Sequence, residues 1–588
     1  MKALFIFPPF YSQFSISCGI PQILSYLKTK NYDAKALDLN IKFFNYLYNE
    51  KVLNNLLLET YEIYKNQDKY NLPSEYSKLL EEFFSNKKMV YKVHSAIKNI
   101  DNIKQSLKSP KNFIDFLKKE KNIMVSINDI QKLLNFIFKD ETPYDEREYF
   151  INDSAISTYK SFLNAIIDDI LKENYDYIGF SVNGDSQFIS SLIVAKLLKE
   201  KGYKGKIGLG GTTVFNDLKI IKEDKSLFKK YIDIIILGQG EYAHEEYFEF
   251  LNGKRNLEEV CNIIYLDDND NIIANTERYL SVSDYSIPCY DDYDLSEYML
   301  PEQIFPIRAS YGCYWGKCVF CAYYYNDRNY FFIRKVDDLI KEIKFYIEKY
   351  NVDTFLFADA ALPPKYLDEF ATKIIEQEIK IYFFMQNRFE DGFDKTLLKK
   401  LYKAGLRVCA WGLESASPKI LKKMNKGLIN ISIAERILKE SSEIGIFNHI
   451  YWMYDFPEET VDDFNLTYNF IKKNIKFINN HSVSQCTIPT FSYIYSHPEE
   501  FGLDKKLIKQ AEDNHKGADC LKAEWIGIPT KTEIQDKVFE IQRLIMQKER
   551  IITTSSEILT LLAKYGIYEK QCKFQDWFPW KNEYTFML

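Results

Sequence analysis

Residues 2–7 (KALFIF) form an apolar run that stops at Pro8-Pro9, and a segment of helical spacing follows from Gly19-Ile20-Pro21 to Lys30. The pattern predicts strand, loop and helix. Tyr32–Asp38 predicts a second strand, and from Ile41 to Glu173 the apolar positions keep a helical period, as in IKFFNYLYNEKVLNNLLLETYEIY and INDIQKLLNFIFKD. Strand-like runs return at Tyr175–Val182, Lys206–Gly210 and Ile232–Leu237, with helical segments between them. Apolar strands alternating with helices predict an α/β fold with a parallel sheet covered on both faces. We therefore expect a doubly wound, Rossmann-like domain over residues 1–255, interrupted by a helical insertion at 41–165. Cys261–Leu266 and Asn271–Asn275 flank the turn DDNDN and predict a hairpin, which opens a connector over 256–300.

A second alternating series begins near residue 301. Its candidate strands are Phe305–Ser310, Asp353–Ala358, Ile381–Met385, Leu406–Gly412, Ile446–Met453 and Ser482–Thr490, with amphipathic helices such as KVDDLIKEIKFYIEKY between them. Six such units are too few to close an eight-stranded barrel and suit an open, partial (βα)6 barrel over 301–500. Residues 501–588 read as a small α-rich extension with a helix near Glu533–Arg550.

The chain of 588 residues exceeds what one hydrophobic core supports, and a hydrophobic content of 46% is enough for several. Its 77 Lys and Arg against 83 Asp and Glu give a net charge of −6, which lacks the positive field of a nucleic-acid-binding protein. Met1 leads straight into the first strand, and no apolar run approaches the ~20 residues of a membrane helix. The expected compartment is the cytoplasm, where thiols stay reduced.

That matters because Cys313, Cys318 and Cys321 crowd into nine residues, YGCYWGKCVFCAYY, directly after the first strand of the second series. Three thiolates give a metal or cluster three protein ligands and one open coordination position, which is an arrangement for chemistry. Structural zinc wants a fourth ligand, and Cys289, Cys409, Cys486, Cys520 and Cys572 each stand alone. The six histidines are scattered and none pairs at metal-ligand spacing. In βα barrels, reactive loops sit at the carboxyl ends of the strands, where this loop falls.

Residues 301–490 resemble a radical SAM domain. The family signature is a CxxxCxxC loop with an aromatic before its last cysteine, here Phe320, followed by motifs at successive strand ends. FADAALPP, QNRFED, GLESAS and YDFPEET occupy those places in order. The first cysteine spacing departs from the pattern, with four residues between Cys313 and Cys318 instead of three. The resemblance implies a [4Fe–4S] cluster on Cys313, Cys318 and Cys321, whose free iron takes the amino and carboxylate groups of S-adenosylmethionine. Electron transfer then cleaves that molecule to methionine and a 5′-deoxyadenosyl radical. Carried over residue by residue, Asp359 meets the methionine amino group and Arg388 its carboxylate. Glu414 and Ser415 approach the ribose, and Met453–Asp455 lie near the adenine. The residues also admit plainer roles: Asp359 as a cap of the next helix, Glu414 as partner of a core Arg or Lys.

The first domain resembles the cobalamin-binding domain fused ahead of many radical SAM domains. The likeness rests on Ser181-Val182-Asn183, on the turn Gly210-Gly211-Thr212, and on Gly238, Gly240 and Glu241 in GQGE, all at strand ends. The family's DxHxxG is absent: after the first strand the chain reads PPFYSQFSISCG and offers no histidine. The resemblance then implies cobalamin bound along Pro8, Pro9, Phe10, Tyr11 and Gln13 without a histidine ligand, with Phe10, Tyr11 or Gln13 near the lower face of the corrin; a degenerate Rossmann-like domain that binds nothing is the alternative.

Together the resemblances imply a cobalamin-dependent radical SAM enzyme, a methyltransferase acting on an unactivated carbon or on phosphorus. A cyclase or rearrangement enzyme with the same cofactors and a non-catalytic iron–sulfur sensor are the alternatives. The expected partners are a reductant such as flavodoxin or ferredoxin and a substrate that is a peptide, a lipid or a small metabolite. The insertion and the extension, which holds Trp577 and Trp580, are the candidates for recognising it.

Overall fold

Strand β1 (Lys2–Phe7) is buried from Ala3 onward, and its ladder ends where Pro8 brings no N–H. The computed structural model describes residues 1–112, 157–321, 331–514, 520–549 and 556–565, apart from positions 71, 73, 217, 429 and 529. The helical stretch INDIQKLLNFIFKD, Cys572, Trp577 and Trp580 lie outside the described residues. The chain divides into two units. One takes in Met1–Gln105 and residues 157–299, the other Leu300–Ala511 with the described residues from 520 onward.

In the first unit, α1 (Gly19–Thr29) leads to β2 (Asp33–Asp38), and Asp38 caps α2 (Leu39–Leu47) by accepting from Ile41 N at 2.9 Å. Helices Glu50–Lys65, Ser74–Ser85 and Lys87–Lys98 follow in the insertion, and α3 (Ser157–Lys172) returns the chain to the sheet. Then come β3 (Tyr177–Ser181), α4 (Asp185–Glu200), β4 (Lys206–Gly210), β5 (Ile234–Ile236) and α5 (Gly240–Leu251). The five strands are parallel in the order β2-β1-β3-β4-β5. The order reverses between β1 and β3, the switch point at which open α/β sheets hold ligands beyond their strand ends. The expected hairpin forms, but as part of this sheet. β6 (Ile263–Leu266) pairs antiparallel with β5, and β7 (Ile272–Ala274) with β6. Ile263 and Ile264 are fully buried, and joining the sheet covers them while pairing their backbone.

The second unit sets β8 (Phe305–Ile307), β9 (Thr354–Phe357), β10 (Tyr382–Arg388), β11 (Leu406–Glu414), β12 (Phe447–Tyr454) and β13 (Asn480–Gln485) side by side in chain order, all parallel. Helices cover the outside. In Val336–Tyr350, Val336, Leu339, Ile340, Ile343 and Tyr346 recur at helical spacing and are buried, with Asp337 and Asp338 at the positive end of the dipole and Lys349 at the negative end.

Register fixes what faces the interior. Leu356, Phe384, Val408 and Phe447 are cross-strand neighbours and form an apolar floor. One step up, Gln386, Ala410 and His449 align; above them come Arg388, Gly412 and Tyr451. The lumen thus grades from oil to charge toward the strand carboxyl ends. A helix of the extension, Ser556–Lys564, closes the floor by packing Leu559 and Ala563 on Phe384, Val408, Ala410 and Phe447. Lys564 pins it to the strand starts through Glu302 (2.6 Å) and Asp353 (2.7 Å). Helix Thr532–Glu549 braces the outside, where Glu540 accepts from Tyr468 and Lys472. The described part of the extension, expected to recognise substrate, packs the barrel.

Candidate active site

The cysteine loop leaves β8 and is clamped from three sides. Tyr314 donates its hydroxyl to Glu390, and Trp315 Nε1 donates to Asn425 O at 2.8 Å. Val319 N reaches Met424 O at 3.1 Å, and Ile494 N reaches Val319 O at 3.1 Å. The extra residue in CYWGKC is absorbed here. Gly316 turns left-handed at φ 58°, and the Arg388 guanidinium carbon lies over the Trp315 ring, 4.0 Å from its centre. Gly427 must be glycine, because a Cβ there would run into both Trp315 and Arg388. Phe320 packs beside Val319, Met424 and Phe456.

Cys313, Cys318 and Cys321 are half-buried. Among the described residues no three His, Cys, Asp or Glu side chains are gathered tightly enough for one metal ion. A mononuclear site needs that convergence, whereas a cubane takes each thiolate on a different corner. Burial pushes the Cys318 thiol up, while Lys426 and Arg388 close by pull it down.

Arg388 ends β10 with 6% of its surface exposed. One nitrogen, Nη2, donates to Lys426 O at 2.7 Å, while Nε and Nη1 are buried with no partner. A buried guanidinium with two unspent donors is costly unless something anionic completes it. Glu414 stands at a register shift between β11 and β12, at φ 60°, and its Oε1 accepts from Lys426 Nζ at 2.8 Å. The plainer role foreseen for Glu414 is thus the one seen. Burial weighs against the Lys426 ammonium, but Glu414 and Cys318 outweigh it and raise its pKa. Gly412 makes room for the pair, since a Cβ there would press on both Lys426 Nζ and Glu414 Oε1.

Three of the expected site residues make hydrogen bonds within the protein. Asp359 neither caps a helix nor points a free carboxylate at the mouth. It accepts from Ala309 N (3.0 Å), Ser310 N (2.5 Å) and Ser310 Oγ (2.6 Å), so it ties down the backbone just before the cysteine loop. Ser415 is fully buried, with its hydroxyl between Thr467 Oγ1 (3.1 Å) and Ser417 N (3.1 Å). Asp455 is committed to Gln485 Nε2 at 3.0 Å and to Thr530. Met453 is half-buried on the cluster that also packs Phe320. Lys426, Trp315 and Glu390 were missed by the sequence reading.

In the first unit the candidate residues gather at the carboxyl ends of β1, β3, β4 and β5. The β1 loop is pinned by Gln187 Nε2 on Pro8 O (2.6 Å), Ser186 Oγ on Phe10 O (3.2 Å) and Asn40 Oδ1 on Tyr11 N (2.8 Å). Pro9 is buried. Phe10 sits among Phe43 and Tyr159, with ring centres 5.0 and 5.4 Å away, and Gln13 turns inward to Tyr48 at 3.4 Å; Tyr11 is the exposed member, at 38%. Val182 N donates to Gly210 O at 2.8 Å, and Thr212 Oγ1 donates to Asn183 Oδ1 at 3.3 Å. Gly211, at φ 116°, lies so close to Val182 that any Cβ would strike its backbone, so the Gly-Gly pair answers to the neighbouring strand. Ser181 is half-buried at the end of β3, and Gly238 turns at φ 70° before Gly240 and the buried Glu241 open α5. Between these glycines, Gln239 Oε1 accepts from Leu280 N at 2.6 Å, and its Nε2 is buried without a partner.

No helix among the described residues is long and apolar enough to cross a membrane. An uncharacterized methyltransferase of Pyrococcus horikoshii is 23% identical over 309 residues, which are 52% of this chain and 65% of that protein, under two thirds of its length. Among solved structures, the cobalamin-dependent S-adenosylmethionine radical enzyme OxsB, with aqua-cobalamin and S-adenosylmethionine bound, aligns with TM-score 0.51 at 17% identity over 69% of this chain and 66% of its own. The radical S-adenosylmethionine methyltransferase TsrM from Kitasatospora setae, with cobalamin and a [4Fe-4S] cluster, aligns with TM-score 0.54 at 10% identity over 87% and 76%. The Radical SAM superfamily model matches residues 307–471, from β8 through the clamped cysteine loop to the helix after β12. Residues 307–471 thus carry the Radical SAM superfamily match, and the fold of the chain is the one seen in these cobalamin-dependent S-adenosylmethionine radical enzymes.

Proposed function

We propose that the chain is a cobalamin-dependent radical SAM methyltransferase that methylates an unactivated carbon or a phosphorus centre. The observation that carries the reading is Arg388: two buried, unspent donor nitrogens, Nε and Nη1, beside the three-cysteine loop suit the carboxylate of an amino-acid ligand. Cys313, Cys318 and Cys321 would hold the [4Fe–4S] cluster, Arg388 would take the carboxylate of S-adenosylmethionine, and Glu414 and Met453 would border its ribose and adenine. When bound, the cluster supplies the electron that cleaves S-adenosylmethionine, and cobalamin carries the methyl group. Cobalamin would lie over the strand ends of the first unit, along Pro8–Tyr11, Ser181–Asn183, Gly210–Thr212 and Gly238–Glu241. There the orphaned Gln239 amide suits a carbonyl of the corrin rim. The residues of the chain do the holding and orienting: Asp359 fixes the approach to the cysteine loop, and the apolar floor keeps water from the lumen. The donor is a reductant such as flavodoxin or ferredoxin, and the substrate is a peptide, a lipid or a small metabolite.

The test is anaerobic reconstitution with iron, sulfide and hydroxocobalamin, followed by S-adenosylmethionine and a reductant. Both a cluster and a corrinoid spectrum are expected, with S-adenosylhomocysteine and 5′-deoxyadenosine as products. Deoxyadenosine without S-adenosylhomocysteine would replace methylation by a rearrangement. A protein that takes up the cluster but turns over nothing would be a sensor.

A further inference from the structure

The buried pair Glu414–Lys426 does more than fill the space over Gly412. Lys426 belongs to the turn Met424–Gly427, which also receives Val319 N, Trp315 Nε1 and Arg388 Nη2, so the ammonium is rigidly placed. Its side chain is 9% exposed and Glu414's 12%, and the turn that carries Lys426 is tied to the residue after Cys318 by Val319 N on Met424 O at 3.1 Å, so the charges of the pair and of Arg388 act on that thiol. One carboxylate and two cations leave a surplus positive charge beside the cysteine loop, where water screens little. Neither cation is free for solvent: Lys426 is held by Glu414, and Arg388 is stacked on Trp315.

We propose that Lys426 and Glu414 set the reduction potential of the cluster held by Cys313, Cys318 and Cys321, with Lys426 favouring the reduced state and Glu414 opposing it. The inference rests on the cluster assignment above and gives the pair a role independent of any substrate. Reduction adds one electron from an external donor to a buried, already anionic assembly. A fixed ammonium beside one of its thiolates lowers the cost of that added charge, and a fixed carboxylate raises it. Both act as positioning residues through Cys318 and need not touch the ligand.

The experiment is a dithionite titration with mediators, followed by electron paramagnetic resonance, on the reconstituted full chain without S-adenosylmethionine. Wild type, K426M, K426R and E414Q are compared after iron and sulfide content has been matched. At a fixed potential, K426M is expected to lower the ratio of reduced to oxidised cluster about tenfold, a shift of ~59 mV for one electron. E414Q should shift the ratio the opposite way, and K426R should stay near wild type. A merely structural disturbance would move K426M and E414Q in the same direction. That result, or no shift in either, overturns the inference while leaving the function standing. If K426M assembles no cluster, the sign of the E414Q shift decides. A wild-type protein with no reducible cubane would overturn the proposed function itself, and this inference with it.

Discussion

The two sets of strand-end loops solve their polar accounting in opposite ways. In the barrel unit, charged side chains are buried and left partly unmatched: Arg388 keeps two idle donors, and Lys426 and Glu414 face each other beside a cysteine. In the sheet unit, Glu241 apart, the hydrogen bonds that close the loops run between neutral groups and backbone, with Gln187 on Pro8, Val182 on Gly210 and Thr212 on Asn183. A site for a small zwitterion and a cluster must supply charge of its own. A site for a large macrocycle rimmed with amides can rely on shape and a few neutral donors such as Gln239.

Removing the charge should hurt the first site most. R388Q is expected to weaken S-adenosylmethionine binding by about 10- to 100-fold, the worth of a pair of charge-assisted hydrogen bonds of ~1.5–3 kcal/mol, while iron content stays at the wild-type level. Calorimetry on reconstituted protein would check this; an unchanged affinity would mean that the idle donors are not a ligand site. The second site should be sensitive to backbone shape. G211A should destabilise the sheet unit by about 1–3 kcal/mol, since its φ is unfavourable for a side chain and Val182 blocks the Cβ. Thermal melts should show the loss, and hydroxocobalamin uptake followed by absorbance should fall with it while the cluster remains.

The smallest effect concerns acid. Asp38 is pushed up to about 6 by burial, against the hydrogen bonds from Tyr298 and Ile41. Between about pH 4 and 6 the folded chain therefore holds a proton that the unfolded chain releases. Stability should decline as pH rises through that window and level off above it. D38N should flatten this slope in melts of the full chain, and a wild-type profile that rises from pH 4 to 6 would contradict the assignment.

Much of the frame was legible because apolar runs and helical spacing are local. KALFIF, the strands of both series and the loop positions of the cysteines follow from residues that are neighbours in sequence. What stayed hidden depends on partners far along the chain. Nothing near Asp359 announces that Ala309 and Ser310, some 50 residues earlier, would claim both of its oxygens. Ser415 looked available until Thr467 closed over it. Lys426 lies in an ordinary-looking KMNKG, although a lysine between two turn residues and just before a glycine, close after a strand-end glutamate, is the kind of signal that could have flagged it. The hairpin's place in the sheet and the helix under the barrel are likewise long-range outcomes, decided by which apolar faces were still uncovered.

That last helix carries a consequence for traffic. With Leu559 and Ala563 corking the strand-start end and Lys564 latched to Glu302 and Asp353, the described barrel offers reactants no back door. Access from the strand carboxyl ends is what the described barrel leaves, so a bulky reactant would present only its tip to the chemistry.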